Sequence, residues 1–173
     1  MKIIGFIHTG ERPEMVLKGD SCLLNGRKPL FVPEWTEKLC VTPCLILRVS
    51  RLGKEIAPKF AGRYYDAVAP GMDFVAMDIA EKAARAGRPW TKALAFDYSL
   101  AIGEWITGDG SPVTGEWVVS PEEAIAEASK VMTIRQGDLI YIHAKQAPRP
   151  VHRDEELRVC TADGEEKLYC KIK

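Results

Sequence analysis

The stretch that decides the fold runs from Gly71 to Trp105 and reads GMDFVAMDIAEKAARAGRPWTKALAFDYSLAIGEW. The apolar residues around Asp73 predict a buried strand, and the alanine-rich run 76–86 predicts a helix because its apolar residues recur at three- and four-residue steps. Gly87 and the proline two residues later predict the end of that helix. Asp73 is thus an acidic side chain placed where chemistry could take place.

Length and composition limit the class of protein. A chain of 173 residues with 46% hydrophobic content can bury a substantial core, and we expect a single domain over residues 1–173. Basic and acidic residues number 24 each, so the formal net charge of zero gives no electrostatic footprint for nucleic acid. No apolar run approaches the roughly 20 residues of a membrane span. The apolar run Met1–Ile7 is shorter than the apolar region and cleavage site of a signal peptide. These features predict a cytoplasmic protein that binds neither nucleic acid nor membrane.

The five cysteines indicate reduced thiols rather than disulfides, because the count is odd and the chain is large enough to fold without them. The strand predicted over Leu39–Leu52 places Cys40, Thr42 and Cys44 on one face. Cys40 and Cys44 then lie about 13 Å apart, too far to share a tetrahedral metal unless the strand bends at Pro43. We therefore interpret both as small buried hydrophobes.

The rest of the chain reads as a mixed, β-rich pattern. We predict further strands at Lys2–Ile7, Pro29–Val32 and Asp138–His143, and a terminal hairpin over Glu155–Ile172 that turns at Asp163-Gly164. In that hairpin, facing residue numbers sum to about 327, which puts Cys160 and Cys170 on opposite faces. Helical composition predicts a helix at Pro58–Val68, and Ser120-Pro121-Glu122-Glu123 carries a capping signature for another. Glu11–Lys28 and Thr107–Thr114 read as loops.

No short motif identifies a catalytic mechanism. Phosphate-cradling glycine loops, nucleophile elbows, HExxH and dinucleotide signatures are all missing. Asp73 and Asp78 are the natural carboxylate candidates, but a strand-to-helix transition between them argues against a glycosidase pair. The residues alone therefore define a scaffold and leave its reaction open.

Several landmarks together resemble the fumarylacetoacetate hydrolase superfamily, in particular its short bacterial single-domain members. The sequence DFVAMD from Asp73 is similar to the family's Asp-x-(Thr/Ser)-Ala-Arg-Asp, and GRPWT from Gly87 to its Gly-x-Pro-Trp. The turn at Gly53-Lys54, the helix FAGRYYDA from Phe60, and the pairs Phe-Asp and Ile-Gly further on also match. Gly137-Asp138-Leu139-Ile140 is similar to the family's Gly-Asp-Leu-Ile. This resemblance implies the α+β, β-rich sandwich roll of the family's C-terminal domain, with a few short helices.

The resemblance also implies where a metal would be held. Family members bind magnesium or manganese with two glutamates on one strand and a later aspartate, and a lysine stabilises the negative charge that develops on an oxo-acid. Here the glutamate positions fall on Thr42 and Cys44, the aspartate position on Asp73, and the lysine position on Leu94. Asp73 is the retained ligand position. A hydroxyl and a thiol are poor ligands for a hard cation, so we expect no metal cofactor.

Two segments are shorter than the family pattern. Between Ile7 and Pro13 the chain lacks the helical lid that carries a histidine and a glutamate in hydrolytic members. Between Ile106 and Glu122 it lacks about a hairpin of sheet. Ligands, lysine and lid thus differ together, as expected when selection on the original reaction is relaxed.

The leading hypothesis from the sequence is a family member that has lost the metal-dependent hydrolase or isomerase activity and acts as a non-catalytic binding or structural paralogue. The alternative is an active hydrolase, isomerase or decarboxylase on small diketo- or oxo-acids, with a site rebuilt around Asp73, Lys92 and His143. Two narrower alternatives are a zinc site formed by Thr42, Cys44, Asp73 and His143, and a thiol activity at Cys40 or Cys44. The resemblance further implies a homodimer.

Overall fold

Strands dominate the computed structural model, which describes residues 1–10, 12–108, 115–161 and 164–173. The strands are β1 (Ile3–His8), β2 (Pro13–Lys18), β3 (Leu23–Asn25), β4 (Leu39–Val49), β5 (Tyr65–Ala76), β6 (Leu100–Ile102), β7 (Ile106–Thr107), β8 (Leu139–His143), β9 (Arg149–Pro150), β10 (Glu156–Cys160) and β11 (Glu166–Lys171). The helices are α1 (Pro58–Ala61), α2 (Met77–Arg85), α3 (Thr91–Leu94) and α4 (Pro121–Val131), with a 3₁₀ turn at Asp20–Cys22. The predicted β-rich fold with a few short helices is confirmed.

The main sheet has the strand order β2-β1-β8-β4-β5-β6-β3, with β7 beside β5 and β9 beside β4. The long antiparallel pair of β4 and β5 forms its centre, and β8 joins β4 antiparallel and β1 parallel. β10 and β11 form a separate two-stranded sheet. Asp73 therefore lies in the middle of the sheet and not at an edge.

The sheet curls because its two end strands are neighbours in the chain. β2 ends at Lys18 and β3 begins at Leu23, so the connection spans at most about 18 Å. A flat seven-strand path would place these strands about 29 Å apart. The sheet closes into a roll, and the connection is held by the Tyr98 backbone N–H, which donates to the Ser21 carbonyl at 3.0 Å.

Alternation along the strands divides the core into two faces. The inside of the roll is lined by alternate residues of the central strands, such as Cys44, Ile46, Val75 and Tyr141, and is covered by α2 and α3. The opposite residues of β4, including Leu45 and Leu47, pack outward against α4. The unbroken pairing of β4 with β5 from Leu39 to Arg48 places Cys40, Thr42 and Cys44 on one face, as predicted, and all three side chains are buried.

Secondary-structure predictions are confirmed where the sequence pattern is long or includes a helix cap. The predicted helix over residues 76–86 corresponds to α2, and the capping signature at Ser120 begins α4 with both reciprocal hydrogen bonds of a capping box. The strand predictions at 2–7, 39–52 and 138–143 correspond to β1, β4 and β8.

Three predictions were wrong. The helix expected at Pro58–Val68 is limited to Pro58–Ala61, because the chain from Tyr65 pairs with β4 as β5. Glu11–Lys28, read as a loop, contains β2 and β3. Pro29–Val32 forms only a single bridge, between Leu30 and Ile172.

The terminal hairpin has the predicted register over most of its length. Leu157 faces Cys170 and Val159 faces Leu168, after which a bulge pairs Cys160 with Glu166. Cys160 is exposed and Cys170 is buried, so the two thiols lie on different faces and both are free. Asp163 of the predicted turn, and residues 109–114 of the loop predicted at Thr107–Thr114, lie outside the described residues.

No helix in the described ranges is long and apolar enough to cross a membrane.

Candidate functional site

A small polar cluster interrupts the apolar interior of the roll at Asp73. β4 and β5 pair so that Thr42 faces Asp73 directly and Cys44 faces Gly71. Thr42 and Asp73 have no solvent exposure, and Cys44 is 1% exposed. A Cβ on Gly71 would lie 2.7 Å from the Cys44 sulfur, so this glycine makes room for the thiol. The structure brings Thr42, Cys44 and Asp73 together as predicted.

Lys18 provides the counterion of Asp73. Its Nζ lies 2.5 Å from Asp73 Oδ1, and neither side chain is exposed. The ammonium also donates to Ser99 Oγ at 2.9 Å and to the Ser99 carbonyl at 3.2 Å. The ammonium is thus paired with one carboxylate oxygen and oriented by two hydrogen bonds to Ser99.

His143 contacts the second oxygen of Asp73. Its Nε2 lies 2.8 Å from Asp73 Oδ2, and its Nδ1 accepts a hydrogen bond from the His8 backbone N–H at 3.3 Å. Because Nδ1 is an acceptor, the neutral ring carries its proton on Nε2 and donates it to the carboxylate. His143 thus has no free lone pair with which to act as a base.

The charges of the cluster follow from these contacts. Burial by itself raises the pKa of Asp73, but the Lys18 charge and the His143 hydrogen bond outweigh it and hold that pKa below its usual value. Burial and the nearby Asp73 charge raise the pKa of the Cys44 thiol well above its ordinary range. Burial also raises the pKa of Cys40. Asp73 is therefore ionised and both thiols are protonated, which opposes a thiolate mechanism.

Two buried hydroxyl groups, those of Thr42 and Tyr141, also belong to the cluster. The Thr42 hydroxyl has no hydrogen-bond partner, and the Tyr141 hydroxyl is close enough to Asp73 to feel its charge. The Tyr141 ring lies over Gly5, where an added Cβ would clash with the ring, and Lys18 Nζ is 5.8 Å from the ring centre. Burial and the Asp73 charge raise the pKa of Tyr141 well above its usual value, so this hydroxyl keeps its proton.

This donor set does not fit a magnesium or manganese ion. Both Asp73 oxygens already face Lys18 and His143, while Thr42 and Cys44 contribute a neutral hydroxyl and a neutral thiol. Hard divalent cations bind through several anionic or carbonyl oxygens. In the part of the chain that the structure describes, no three His, Cys, Asp or Glu side chains are grouped as metal ligands, although His143 does lie beside Asp73, as the zinc hypothesis requires.

The two other predicted site residues lie on α3. Leu94 is buried at the lysine position of the family, and its carbonyl accepts a hydrogen bond from Ser99 Oγ at 3.0 Å. Lys92 is exposed, with Nζ 5.3 Å from the centre of the Trp35 ring. The structure therefore does not bring Lys92 to Asp73. Lys18 lies beside Asp73 instead, and the sequence does not reveal it because the residue composition of Glu11–Lys28 predicts a loop.

An open groove of about 700 Å³ lies between β2 and the start of α3. Strand alternation puts Glu14, Val16 and Lys18 on one face of β2, opposite Ile7, Gly5 and Ile3 of β1. Glu14 and Val16 line the groove together with Leu94 and the exposed Arg88. The groove thus combines a carboxylate and a guanidinium with apolar side chains such as Val16 and Leu94.

A closed β-rich roll with a polar site on its central strands defines the class of protein. The family model for the fumarylacetoacetate (FAA) hydrolase C-terminal domain matches residues 4–114. The chain therefore belongs to the fumarylacetoacetate hydrolase family.

Curated relatives cover most of the chain at low identity. The oxaloacetate tautomerase YcgM of Escherichia coli (strain K12) is 25% identical over 89% of this chain and 79% of its own length. The mitochondrial oxaloacetate tautomerase FAHD1 of Mus musculus is 23% identical over 93% of this chain and 81% of its own length.

Solved structures share the fold. A fumarylpyruvate hydrolase from Pseudomonas aeruginosa, in complex with Mn²⁺ and pyruvate, superposes with a TM-score of 0.84 at 18% identity, covering 99% of this chain and 88% of that one. A 5-carboxymethyl-2-hydroxymuconate delta-isomerase from Mycobacterium smegmatis gives 0.83 at 18% identity, covering 99% and 78%. The predicted family and fold are confirmed.

Proposed function

We propose that the chain acts on small oxo-acids as a proton-transfer isomerase, with the substrate bound in the groove between β2 and α3. The observation that carries this proposal is that Arg88 and Glu14 line the same open groove. The relatedness to oxaloacetate tautomerases over most of the chain supports it. The groove volume lies within the range of small-molecule sites.

Keto–enol interconversion requires a base and a positively charged group. A base removes a proton from the carbon next to the carbonyl group, positive charge stabilises the enolate oxygen, and the proton is returned to that oxygen. The Glu14 carboxylate is the base in this proposal. The Arg88 guanidinium binds the acid group of the substrate and stabilises the enolate, since it presents paired N–H donors to carboxylates. Substrate and product contain the same atoms, so no further reactant is consumed.

The buried cluster has a positioning role in this scheme. Lys18 lies on the same strand and face as Glu14, and its ion pair with Asp73 fixes the end of β2 against the centre of the sheet. Lys18, Asp73 and His143 are buried, so their side chains contact other protein groups and not solvent. They hold the groove wall and do not contact substrate.

The test is an absorbance assay of oxaloacetate enol–keto conversion in the presence of chelator. We expect Glu14→Gln to lower kcat by roughly 100-fold, the usual contribution of a general base. Arg88→Met should lower kcat/KM about tenfold or more by loss of a charge-assisted contact. Arg85→Met is the matched control, because Arg85 is exposed on α2 and does not line the groove; we expect a change of less than about twofold. Equal rates with wild type and without protein would contradict the proposal.

A second candidate function is that of a non-catalytic binding or structural paralogue. The observation that favours it is the closed state of the cluster, in which Thr42, Cys44 and Leu94 stand at the family's ligand and lysine positions. Under this alternative, calorimetry detects oxo-acid binding that Arg88→Met removes, while the conversion assay stays at the uncatalysed rate.

We also propose a reducing, cytoplasmic location and a homodimer. All five cysteines are free and four of them are buried, which supports a compartment that keeps thiols reduced. Multi-angle light scattering tests the homodimer; a monomer mass of 19.2 kDa would contradict it.

A further inference from the structure

We infer that a basic surface around α1 and the end of α4 binds the anionic lipid headgroups of a membrane surface. This α1–α4 surface comprises residues 51–63 and 130–136, and none of them lines the groove between β2 and α3. The inference therefore goes beyond the proposed function and does not depend on it.

Hydrogen bonds join the two segments into one continuous surface. The backbones of Gly53 and Ile134 exchange two hydrogen bonds, at 3.0 and 2.9 Å. Lys54 Nζ donates to the Lys130 carbonyl at 2.9 Å. The loop before α1 is thus fixed beside the last turn of α4, and α1 itself packs against α4.

Three large apolar side chains on this surface are exposed. Leu52 is 69% exposed, Val131 is 63% exposed and Phe60 is 42% exposed. Single apolar side chains are common on protein surfaces. Here they occur together with a group of basic residues, and that combination is typical of surfaces that bind at a membrane interface.

The charge of the α1–α4 surface is positive although the whole chain has a formal net charge of zero. The expectation of no membrane partner rests on that net charge and on the missing span, and neither describes a local surface. The surface has one acidic residue, Glu55, and six exposed basic residues, which are Arg51, Lys54, Lys59, Arg63, Lys130 and Arg135.

Most of these basic side chains are free to bind an anion. Lys130 pairs with Glu127 at 2.6 Å. In the part of the chain that the structure describes, the other five form no ion pair. Each basic residue near an anionic membrane surface contributes about 1 kcal/mol of attraction.

Phe60 brings the apolar and charged groups together. Lys59 Nζ lies 5.0 Å from the centre of the Phe60 ring, and the Arg63 guanidinium carbon lies 5.4 Å from it. Long basic side chains keep their charge at the level of the headgroups while an apolar neighbour enters the acyl boundary. The arrangement around Phe60 therefore fits a lipid surface.

Other partners fit the surface less well. In a symmetric dimer the same patch meets its own copy, so the free cations of two chains would repel one another. Nucleic acid binds such cations through its phosphates, but phosphate contacts would leave Leu52 and Val131 exposed. An acidic protein segment is the remaining alternative, and the experiment separates it from lipid.

The first test is co-sedimentation with phosphatidylcholine vesicles that contain about 30% phosphatidylserine, beside vesicles of phosphatidylcholine alone. We expect wild type to bind the anionic vesicles roughly tenfold or more tightly than the neutral ones, and to dissociate as the ionic strength rises. Lys59→Glu/Arg63→Glu should weaken binding roughly tenfold or more, because two attractions become repulsions.

The matched control is Lys28→Glu/Arg153→Glu. It changes the net charge by the same amount at two exposed positions outside the α1–α4 surface, and we expect binding within about threefold of wild type. Circular dichroism checks that both pairs of substitutions leave the fold intact. The inference is overturned if wild type does not bind the anionic vesicles, or if both pairs weaken binding equally.

The second test separates lipid from an acidic protein segment. Leu52→Ser/Val131→Ser keeps every charge, and we expect it to weaken binding to the anionic vesicles about tenfold because the apolar side chains no longer enter the acyl boundary. Polyglutamate represents an acidic segment, and wild type should bind it more weakly than the vesicles at equal negative charge. Vesicle binding that is unchanged in this variant, or polyglutamate binding as tight as vesicle binding, would refute the lipid assignment.

Discussion

At the scale of single residues, Asp138 is a second carboxylate whose charge stabilises the folded chain. It accepts hydrogen bonds from the Lys2 backbone at 2.8 Å, from Lys2 Nζ at 2.5 Å and from the Arg135 backbone at 2.9 Å. Burial by itself raises the pKa of Asp138, but these hydrogen bonds and the Lys2 charge bring it below its usual value.

The lowered pKa of Asp138 predicts an acid-dependent contribution to stability. The contribution is complete above the unfolded-state pKa of about 4 and is lost as the pH falls through the lower folded-state pKa. We expect Asp138→Asn to cost about 1–2 kcal/mol of unfolding free energy at pH 7. That difference should shrink toward zero as the pH falls through the lowered folded-state pKa of Asp138. Urea unfolding at a series of pH values measures it; a difference that stays constant with pH would contradict the assignment.

Residue types at the site could be partly predicted from the sequence. The resemblance placed Thr42, Cys44, Asp73 and Leu94 at family positions, and the structure shows the first three side by side. Lys18 could not be predicted as a site residue because the segment that contains it was expected to be a loop, in which a lysine is normally exposed. The signal that could have found it was the alternation of Glu14, Val16 and Lys18, but alternation does not show which face is enclosed. That depends on the closure of the roll.

At the scale of secondary-structure elements, α4 has a terminus that can be tested independently of the site. Ser120 Oγ accepts from the Glu123 N–H at 3.2 Å, and Glu123 Oε2 accepts from the Ser120 N–H at 2.9 Å. We expect Ser120→Ala to cost about 1 kcal/mol of unfolding free energy, because a helix N–H loses its partner. Ser120→Asp keeps a capping acceptor and should stay close to wild type in urea unfolding. Equal stability of Ser120→Ala and Ser120→Asp would show that the cap contributes nothing.

Elements with local signals were predictable, and those decided by distant pairing were not. α4 has a cap and α2 has helical periodicity, so neighbouring residues suffice to define them. The run from Pro58 to Val68 has residues of mixed preference, and its second half is a strand because it lies along β4. β2 is a strand for the same reason, because all six of its residues pair with β1. Tertiary pairing overrides local preference in both cases.

At the scale of the whole molecule, the resemblance predicted the roll, and periodicity alone could not have done so. The strand order places β2 and β3 at opposite ends although they are consecutive in the chain. Such a closure depends on contacts between distant residues, such as Lys18 with Asp73 and Ser99. The fold was therefore predictable through its family, whereas the interior ion pair became visible only once the sheet was closed.

The single domain expected over residues 1–173 is also a whole-molecule prediction. If the charge cluster ties β2 to the central strands, wild type should unfold in one cooperative transition with equal calorimetric and van't Hoff enthalpies. Differential scanning calorimetry makes this measurement. Two separable transitions would argue for independent units.

The central claim is that the interior site around Asp73 does not hold a divalent cation, because the carboxylate is paired with Lys18 and His143 and its neighbours Thr42 and Cys44 are neutral. A calorimetric titration of wild-type protein with Mn²⁺, beside Asp73→Asn as reference, tests it most directly. We predict the same non-saturating heats for both proteins, because the Asp73 carboxylate is already neutralised by the Lys18 ammonium. Saturable Mn²⁺ binding by wild type that Asp73→Asn removes would contradict the claim.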